Sequence, residues 1–517
     1  MAGAICFDVK DNVVVMTEDV KQGEAVIIAG QNERYCTLED IPKGHKMAIV
    51  PLNKGDYIVK YGIRIGRMMV DAECGCWISE HNLEDITLEL GEENKKAYRE
   101  GGRTIQVYPR TDGRFGIRNY IMVIPSAPEC NAVAESISDA TGCAWMVCDR
   151  PHLDEKGHVS EYSRKAMGYT GCNPNIYAAL VLSAKSEKET ADYIVKLVGD
   201  TGKPVQALSL DDDVDETCKK GIKIVKNFMT EAAAQKRQAR PIEGLTITLH
   251  CSGSDWTTTV AANPAVGNAS DLLVKDGGRV LLSEWEGYCG SEHILAEQCA
   301  TRELGLRLLD RVDYMRELVL KESGHPIEHM NPHPLNKKGG ITTLVEKSHG
   351  TITKCGTTPI RGMLEYCEQP HSSGVWLEVV DSLMPPTSAI YGSLQGAHMH
   401  LMITGVGFLY YEIPHMVGIR VTGNEDTFAN PEFKLDFNAG VAFQEGLPKT
   451  GEKLYNYLLD VAEGKVDTKS EMDKQKVFHM WYYTENEFGE NTDRSKMIYS
   501  KTEDYTETVR TYTNLVK

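Results

Sequence analysis

The chain has 517 residues, and its 56 Lys and Arg against 74 Asp and Glu give a formal net charge of -18. That length allows two to four domains with sizeable cores, and the acidic balance disfavours non-specific binding to nucleic acid. It contains no apolar run of about eighteen residues and begins without the charged and apolar regions of a signal peptide, so we expect a cytoplasmic protein with no membrane partner.

Residues 1–95 are predicted to form a small β-rich domain. Three short runs rich in β-branched residues, 12–16, 25–28 and 46–50, are separated by glycines and polar residues. A polar segment at 91–103 then indicates a linker.

Beyond the linker, strand-like runs alternate with helical periodicity. This alternation predicts α/β layers built on a largely parallel sheet, with a central domain at 104–240 and a C-terminal catalytic domain at 241–517. The sequence pattern of the acidic C-terminal quarter of the chain does not predict a topology. The predicted strands are 120–124, 178–182, 205–208, 245–249 and 279–282, and the predicted helices are 129–140, 187–198, 213–234 and 265–275.

Ligands of α/β proteins usually bind at loops near strand ends, and four loops here are rich in polar residues. The first, 110–119, has three arginines that could grip a carboxylate in bidentate fashion. An Asp-Gly turn with solvated cations is the structural alternative.

The next two loops carry candidate ligands and acid-base groups. Residues 250–255 follow a predicted strand and precede a helix start, which suits an anion or a metal-bound ligand, although Ser254 and Asp255 could simply cap a turn. Residues 283–293 place carboxylates and an imidazole after another strand, where they could ligate a metal, act as a base or cap a surface helix.

The fourth loop region, 329–361, combines glycines with cations and threonines. Its Gly339-Gly340 and Gly356 turns could let backbone approach a ligand, and Lys337, Lys338, Lys354 and Arg361 could neutralise an anion. The mixture predicts a site for a small acid.

Long motifs in these loops occur in the order found in one family. Residues 113–119 are similar to the Gly-Arg-x-Gly-x-Arg-Asn motif of the altronate and galactarate dehydratase family, which the chain resembles over nearly its whole length. The other matching segments are 251–255 with 263–267, 336–343 and 354–360, and in the N-terminal part 41–46, 60–62 and 81–83, which look like a β-clip SAF domain.

The resemblance implies a small N-terminal β-clip, SAF-like domain followed by Rossmann-like α/β layers. It also implies a hydro-lyase that removes water from a sugar acid such as altronate or galactarate and gives a 2-keto-3-deoxy acid. A proton beside a carboxylate is a poor acid, so a metal or cationic clamp must stabilise the charge that develops when a base removes it. We therefore expect an anionic sugar-acid substrate, a divalent metal that is iron or manganese, and a homodimer.

Roles follow for residues of the matching motifs and the loops around them. The catalytic candidates are His45, His81, Asp255, Glu284 and Lys354, and the metal-ligand candidates are Cys251, Asp255, Glu284 and His293. The substrate-binding candidates are Arg114, Arg118, Asn119, Lys337, Thr357, Thr358 and Arg361.

The chain departs from the family at its cysteine-bearing loops. Ser186 stands where the family has a cysteine, and 147–153 replaces a His-Thr-Thr-Gly-Cys motif, so of that set only Cys251 is present and an iron–sulfur cluster is the less favoured cofactor. The late Thr-Thr-Gly-Arg-Gly motif is altered at 403–407 and lacks its arginine. Three alternatives therefore stay open: a lyase that expels another β-substituent, as from sulfolactate, an isomerase or epimerase using the same proton abstraction, and a non-catalytic sugar-acid binding protein.

A pair of histidines outside these motifs, His398 and His400, has the spacing for one face of a strand. Such a pair could supply half a metal site. A half-buried, hydrogen-bonded pair is the structural alternative.

Overall fold

The computed structural model describes residues 2–30, 33–84, 102–148, 151, 153–210, 213–379, 385–407 and 413–479. Its N-terminal part is all β, as predicted, with a six-stranded sheet in the order β4-β3-β1-β2-β5-β8 and a three-stranded sheet in the order β6-β7-β9. The strands are β1 (Ala2–Ile5), β2 (Val13–Met16), β3 (Ala25–Ile28), β4 (Arg34–Cys36), β5 (Lys46–Ala48), β6 (Tyr57–Lys60), β7 (Ile63–Met68), β8 (Trp77–Ile78) and β9 (Leu83–Glu84).

The middle part begins with a small antiparallel sheet and continues as a parallel one. The elements are β10 (Thr104–Pro109), β11 (Phe115–Gly116), β12 (Tyr120–Pro125), α1 (Asn131–Thr141), β13 (Ala144–Val147), α2 (Glu161–Cys172), β14 (Ile176–Ser183), α3 (Lys188–Asp200), β15 (Val205–Ser209), α4 (Val214–Ala234) and β16 (Gln238–Pro241). Strands β15, β14, β12 and β13 pair in parallel in that order, while β10 pairs antiparallel with β11 and β16.

The C-terminal part is built on a seven-stranded, wholly parallel sheet. Its first elements are β17 (Thr246–Ser252), α5 (Asn263–Lys275), β18 (Arg279–Leu282), α6 (Glu292–Gln298), α7 (Arg302–Ser323), α8 (Ile327–Met330), α9 (Pro334–Lys338), α10 (Leu344–Ile352), β19 (Ile360–Leu364) and β20 (Gly374–Glu378). They are followed by α11 (Pro385–Leu394), β21 (Met399–Thr404), β22 (Val417–Thr422), α12 (Glu425–Ala429), β23 (Phe437–Asn438), α13 (Ala442–Glu445), α14 (Leu447–Ala462), α15 (Lys469–Met472) and β24 (Val477–His479). The strand order is β19-β20-β18-β17-β21-β22-β23.

The predicted α/β class is confirmed, and the alternation of β12 to α5 follows the predicted runs closely. The last quarter was unreadable because β20, β21 and β22 are buried on both faces and show no alternation of polar and apolar residues. Strand β24 pairs in parallel with β13, so the chain returns to the middle sheet after the region assigned to a C-terminal domain. Most of the predicted linker lies outside the described residues, as does the end of the predicted first domain.

A buried ion-pair cluster joins the N-terminal part to α10. Lys46 Nζ donates to Glu346 Oε2 at 2.9 Å and Lys60 Nζ to Glu346 Oε1 at 2.5 Å, and all three side chains are at most 1% exposed. Although burial raises the pKa of the Glu346 carboxyl, the two ammonium groups hold it far below its ordinary range. Removing one member of such a cluster leaves the remaining charges buried without a counter-charge, which lowers the free energy of unfolding.

The glycine pair predicted to approach a ligand instead approaches another part of the protein. Gly340 has φ +86°, and a Cβ there would lie 2.3 Å from the carbonyl oxygen of Gly44. A Cβ at Gly339 would lie 2.8 Å from Asp255 Cβ. Gly340 therefore allows the N-terminal part to pack closely on the segment before α10, and Gly339 allows that segment to pack on the turn after β17.

None of the helices in the described ranges is long and apolar enough to cross a membrane.

Replacing Glu346 with Gln should destabilise the protein strongly. Two ammonium groups would be left buried without a carboxylate, and we expect a loss of about 3–5 kcal/mol in urea unfolding. The matched control is Asp40→Asn, which removes the exposed Lys21–Asp40 pair and should leave the unfolding midpoint unchanged. Equal midpoints for Glu346→Gln and the parent protein would contradict a stabilising role.

Candidate functional site

The carboxyl ends of β17 and β18 bring two predicted residues together. These strands are parallel neighbours, so Cys251 near the end of one and Glu284 just after the other lie at the same edge of the sheet. The Cys251 backbone N–H donates to Glu284 Oε1 at 2.8 Å, and Cys251 Sγ lies 3.6 Å from Glu284 Oε2. Both side chains are buried.

A third predicted residue, Lys354, completes the group. It lies in the single turn Thr353–Cys355 after α10, is wholly buried and forms an ion pair with Glu284. Its Nζ also donates to Cys251 Sγ at 3.4 Å. Three segments that are distant in sequence thus bring together one thiol, one carboxylate and one ammonium group.

Helix α10 adds two groups that sequence reasoning missed. Lys347 and Thr351 are four residues apart and share a helix face, and Lys347 Nζ donates to Thr351 Oγ1 at 3.0 Å. Lys347 Nζ also lies 3.8 Å from Cys251 Sγ and is only partly buried. The i, i+4 spacing could have pointed to the pair, but only the fold shows that this face meets Cys251.

Charge balance in this group favours the ionised thiol. Burial raises the pKa of the Cys251 thiol, but Lys347 and Lys354, with hydrogen bonds from Thr351 and Lys354, lower that pKa to about 6. Burial also lowers the pKa of the Lys354 ammonium group. We refer to Cys251, Glu284, Lys347, Thr351 and Lys354 as the thiolate cluster.

A titrating carboxyl lies beside the thiolate cluster. Glu286 belongs to the turn Trp285–Gly287, and burial raises the pKa of its carboxyl to about 7, with opposing effects from Lys347 and Cys251. A Cβ at the neighbouring Gly287 would lie 2.9 Å from Thr351 Cγ2, so this turn packs directly on α10. The site therefore combines a thiol that ionises below neutral pH with a carboxyl that titrates near it.

The N-terminal part reaches this region through one aromatic residue. Tyr61 stacks on His349 of α10 with ring centroids 5.2 Å apart and an interplanar angle of 30°. Burial, together with the nearby His293 and Lys60, lowers the pKa of His349 to about 4. His293, a predicted metal ligand, thus lies near His349.

The predicted ligand residues do not fit a metal centre as they stand. No group of three or more His, Cys, Asp and Glu side chains in the described part of the chain could hold a metal ion. Lys354 pairs with both Cys251 and Glu284, and the Asp255 carboxylate is engaged elsewhere. A metal cofactor stays a prediction.

Asp255 stabilises the turn that follows β17. Its Oδ1 accepts hydrogen bonds from Thr257 Oγ1 at 2.6 Å and the Thr258 backbone N–H at 3.0 Å. Its Oδ2 accepts one from Asn424 Nδ2 at 2.9 Å. Both carboxylate oxygens therefore have protein partners, as the capping alternative predicts.

The two N-terminal histidines and Lys337 lie along the contact with α9. His45 Nδ1 accepts from Trp77 Nε1 at 3.2 Å, and burial lowers the pKa of His45 to about 4. His81 Nδ1 lies 2.5 Å from Ser79 Oγ, and Lys337 Nζ lies 3.5 Å from Glu80 Oε2. This contact adjoins α10 on its Glu346 side, whereas the thiolate cluster lies against Lys347 and Thr351.

The structure does not bring the predicted arginine loop to the thiolate cluster. Arg114, Arg118 and Asn119 precede β12 and therefore lie at the amino end of the middle sheet. Their partners are Asp112, Gln369 and the Cys172 carbonyl for Arg114, Glu471 and the Ile117 and Val461 carbonyls for Arg118, and Arg110 and the Ala232 carbonyl for Asn119. These contacts join α14, α15 and the middle sheet, and a substrate-binding role stays a prediction.

Thr357, Thr358 and Arg361 are likewise placed away from the thiolate cluster. They lie before or at the start of β19, near the amino edge of the parallel sheet. Both threonine hydroxyls and both backbone N–H groups donate to the Asp271 carboxylate, at 2.6 to 3.0 Å. The turn is closed on a protein carboxylate rather than open to an anion.

Replacing Lys347 with Met should raise the pKa of the Cys251 thiol from about 6 toward its ordinary value, because the charge of Lys347 is the largest single effect that lowers it. The thiolate ultraviolet absorbance, taken as the difference from a Cys251→Ser protein, measures this across pH. Lys321→Met, on the exposed end of α7, is the control and should leave the titration unchanged. An unshifted titration in Lys347→Met would contradict the assigned electrostatics.

Three family models match the chain in sequence. Residues 2–86 match the altronate/galactarate dehydratase SAF domain, residues 107–233 the second domain of D-galactarate dehydratase/altronate hydrolase, and residues 242–485 the C-terminal domain of D-galactarate/altronate dehydratase. The three matched regions correspond in order to the N-terminal β part, the part with the middle sheet and the part with the seven-stranded sheet.

Characterised relatives agree with these matches. Altronate dehydratase of Bacillus subtilis is 27% identical over 480 residues, which cover 88% of this chain and 94% of that protein. Altronate dehydratase of Escherichia coli is 26% identical over 473 residues, with the same coverage of 88% and 94%. The (2R)-sulfolactate sulfo-lyase subunit beta of Chromohalobacter salexigens is 28% identical over 369 residues, 70% of this chain and 94% of that subunit. The chain therefore belongs to the altronate/galactarate dehydratase family and is a lyase.

Proposed function

We propose that this lyase removes water from a sugar acid such as altronate or galactarate and releases a 2-keto-3-deoxy acid. The observation that carries the proposal is the thiolate cluster, which places a base and two cations at the carboxyl edge of a parallel sheet, where α/β enzymes bind their substrates. The relatives named altronate dehydratase support the same reaction class.

In this proposal, Lys347 binds the substrate carboxylate. Its ammonium group is the most accessible cation of the thiolate cluster, whereas Lys354 is wholly buried between Cys251 and Glu284. A fixed positive charge beside the substrate carboxylate stabilises the second negative charge that develops on it as the α-proton leaves.

Cys251 acts as the general base and Glu286 as the general acid. The Cys251 thiolate takes the proton from the carbon next to the carboxylate, and the protonated Glu286 gives a proton to the β-hydroxyl as its C–O bond breaks. Water leaves, and the resulting enol rearranges to the keto acid. The pKa of Cys251, about 6, and that of Glu286, about 7, suit a base and an acid near neutral pH.

Elimination of sulfite from sulfolactate is the second candidate, favoured by the sulfo-lyase relative. Sulfite leaves as a stable anion and needs no proton at the departing atom. The two reactions should therefore differ in their need for Glu286. An isomerase or epimerase would use the Cys251 step alone.

The decisive assay incubates the protein with altronate, galactarate and sulfolactate, with and without iron or manganese under anaerobic conditions, and follows keto-acid formation. We expect turnover of a sugar acid, a fall of about 100- to 10,000-fold in Cys251→Ser, and slower dehydration in Glu286→Gln. Lys188→Met, which changes an exposed lysine, is the control and should match the parent protein. Deuterium exchange into recovered substrate without formation of a keto acid would favour an isomerase over the proposed dehydratase. The absence of both exchange and keto acid would refute the proposal.

The dependence of kcat/KM on pH should be bell-shaped. The rate should rise through about pH 6 as Cys251 loses its proton and fall above about pH 7 as Glu286 loses the proton that it must donate. Glu286→Gln should abolish the fall on the alkaline side for a sugar acid. A profile whose alkaline limb is unaltered by that substitution would exclude Glu286 as the acid.

A further inference from the structure

One face of α5 holds the segment that carries Lys354, residues 353–358, which we call the lysine turn. A Cβ at Gly267 would lie 2.1 Å from the Thr353 carbonyl oxygen, so glycine lets the turn approach the helix closely. Three residues later, Ser270 Oγ donates to the Lys354 carbonyl at 3.0 Å. Because residues three and four positions apart share a helix face, Asp271 meets the same turn.

The Asp271 carboxylate fixes the far end of the lysine turn. The backbone N–H groups of Thr357 and Thr358 each donate to Asp271 Oδ1 at 2.9 Å. The Thr357 hydroxyl donates to Oδ2 at 3.0 Å and the Thr358 hydroxyl to Oδ1 at 2.6 Å. Hydrogen bonds to an ionised acceptor are about twice as strong as neutral ones. One side chain thus holds two successive residues, beginning three positions after Lys354.

A second helix, α6, holds the lysine turn through its last residue. Gln298 Nε2 donates to the Gly356 carbonyl at 3.1 Å and to the Thr358 carbonyl at 2.8 Å. Gly356 has φ +76°, and a Cβ there would lie 2.4 Å from Asp271 Oδ1, so the turn can close on the carboxylate only with glycine at this position. The backbone around Lys354 is therefore fixed from two helices.

Lys354 needs a fixed backbone because its ammonium group is wholly buried. Its Nζ donates to Cys251 Sγ at 3.4 Å and pairs with Glu284. Burial lowers the pKa of this ammonium group, which means that the charged form gains from reaching solvent. The four-carbon stem of a lysine is flexible and does not by itself hold the charge in place. The hydrogen bonds to the lysine turn supply that restraint.

We infer that Asp271 is a positioning residue that holds Lys354 against Cys251. Its carboxylate bonds to the lysine turn, so it acts on the thiolate cluster only through that backbone. The effect on the reaction rests on the proposed function, whereas the placement of Lys354 is measurable without a substrate. Lys347 is held separately, on the helix that Glu346 anchors, so loss of Asp271 should lower kcat rather than raise KM.

Acetylation of lysine amines by acetic anhydride, mapped by mass spectrometry on the full-length folded protein, measures how well Lys354 is protected. The variants are D271A, which removes both acceptor oxygens, and D271N, which keeps Oδ1 as an acceptor for both backbone N–H groups. The matched control is D192A, which removes an exposed helical carboxylate paired with Lys188. Lys46, which is 0% exposed and distant in sequence, is the internal standard for unfolding of the whole protein.

We expect Lys354 to be acetylated about tenfold faster in D271A than in the parent protein, with the rate at Lys46 unchanged, because the lysine turn opens locally. D271N and D192A should match the parent at both lysines. Equal rates at Lys354 in D271A and the parent would overturn the inference. A parallel rise at Lys46 would also overturn it, since Asp271 would then only stabilise the fold as a whole.

The keto-acid assay separates this inference from the proposed function. D271A should lower kcat about 10- to 100-fold and leave KM nearly unchanged, since Lys347 still meets the substrate carboxylate. Faster acetylation of Lys354 in D271A, with no keto acid formed by the parent, keeps the placement of Lys354 and removes the proposed reaction. Keto-acid formation by the parent, with an unchanged kcat in D271A, keeps the reaction and removes the positioning role.

Discussion

The pairing of Glu346 with Lys46 and Lys60 is the interaction on which the arrangement of the site depends. It fixes α10 against the N-terminal strands with three side chains that are almost wholly buried. The next residue along that helix is Lys347, and one turn later comes Thr351, so the same helix presents both to Cys251. The N-terminal part thus acts as a structural support for the reacting groups, and through Tyr61 it also contacts the neighbouring His349.

The parallel sheet separates two kinds of chemistry. On one face, Cys251 lies beside two ammonium groups, those of Lys347 and Lys354, whose charges stabilise its thiolate. On the other, Glu378 and His400 are kept neutral by burial.

The sequence allowed the α/β class, the family and three members of the thiolate cluster to be predicted. Cys251 and Glu284 were accessible to prediction because loops that follow parallel strands meet at one edge, and Lys354 because it begins one of the family motifs. Arg118 and Thr358 could not be assigned in this way, since their partners, Glu471 and Asp271, are distant in sequence. The topology of β20 to β22 was also unreadable, because strands buried on both faces carry no alternating pattern of polar and apolar residues.

The most direct test of the central claim is a crystal structure of the protein with a bound aldonate. We expect the substrate carboxylate within hydrogen-bonding distance of Lys347 Nζ, with the α-carbon facing Cys251 Sγ at the carboxyl ends of β17 and β18. A carboxylate held instead by Arg114 and Arg118, or by the turn at Thr357 and Thr358, would contradict it.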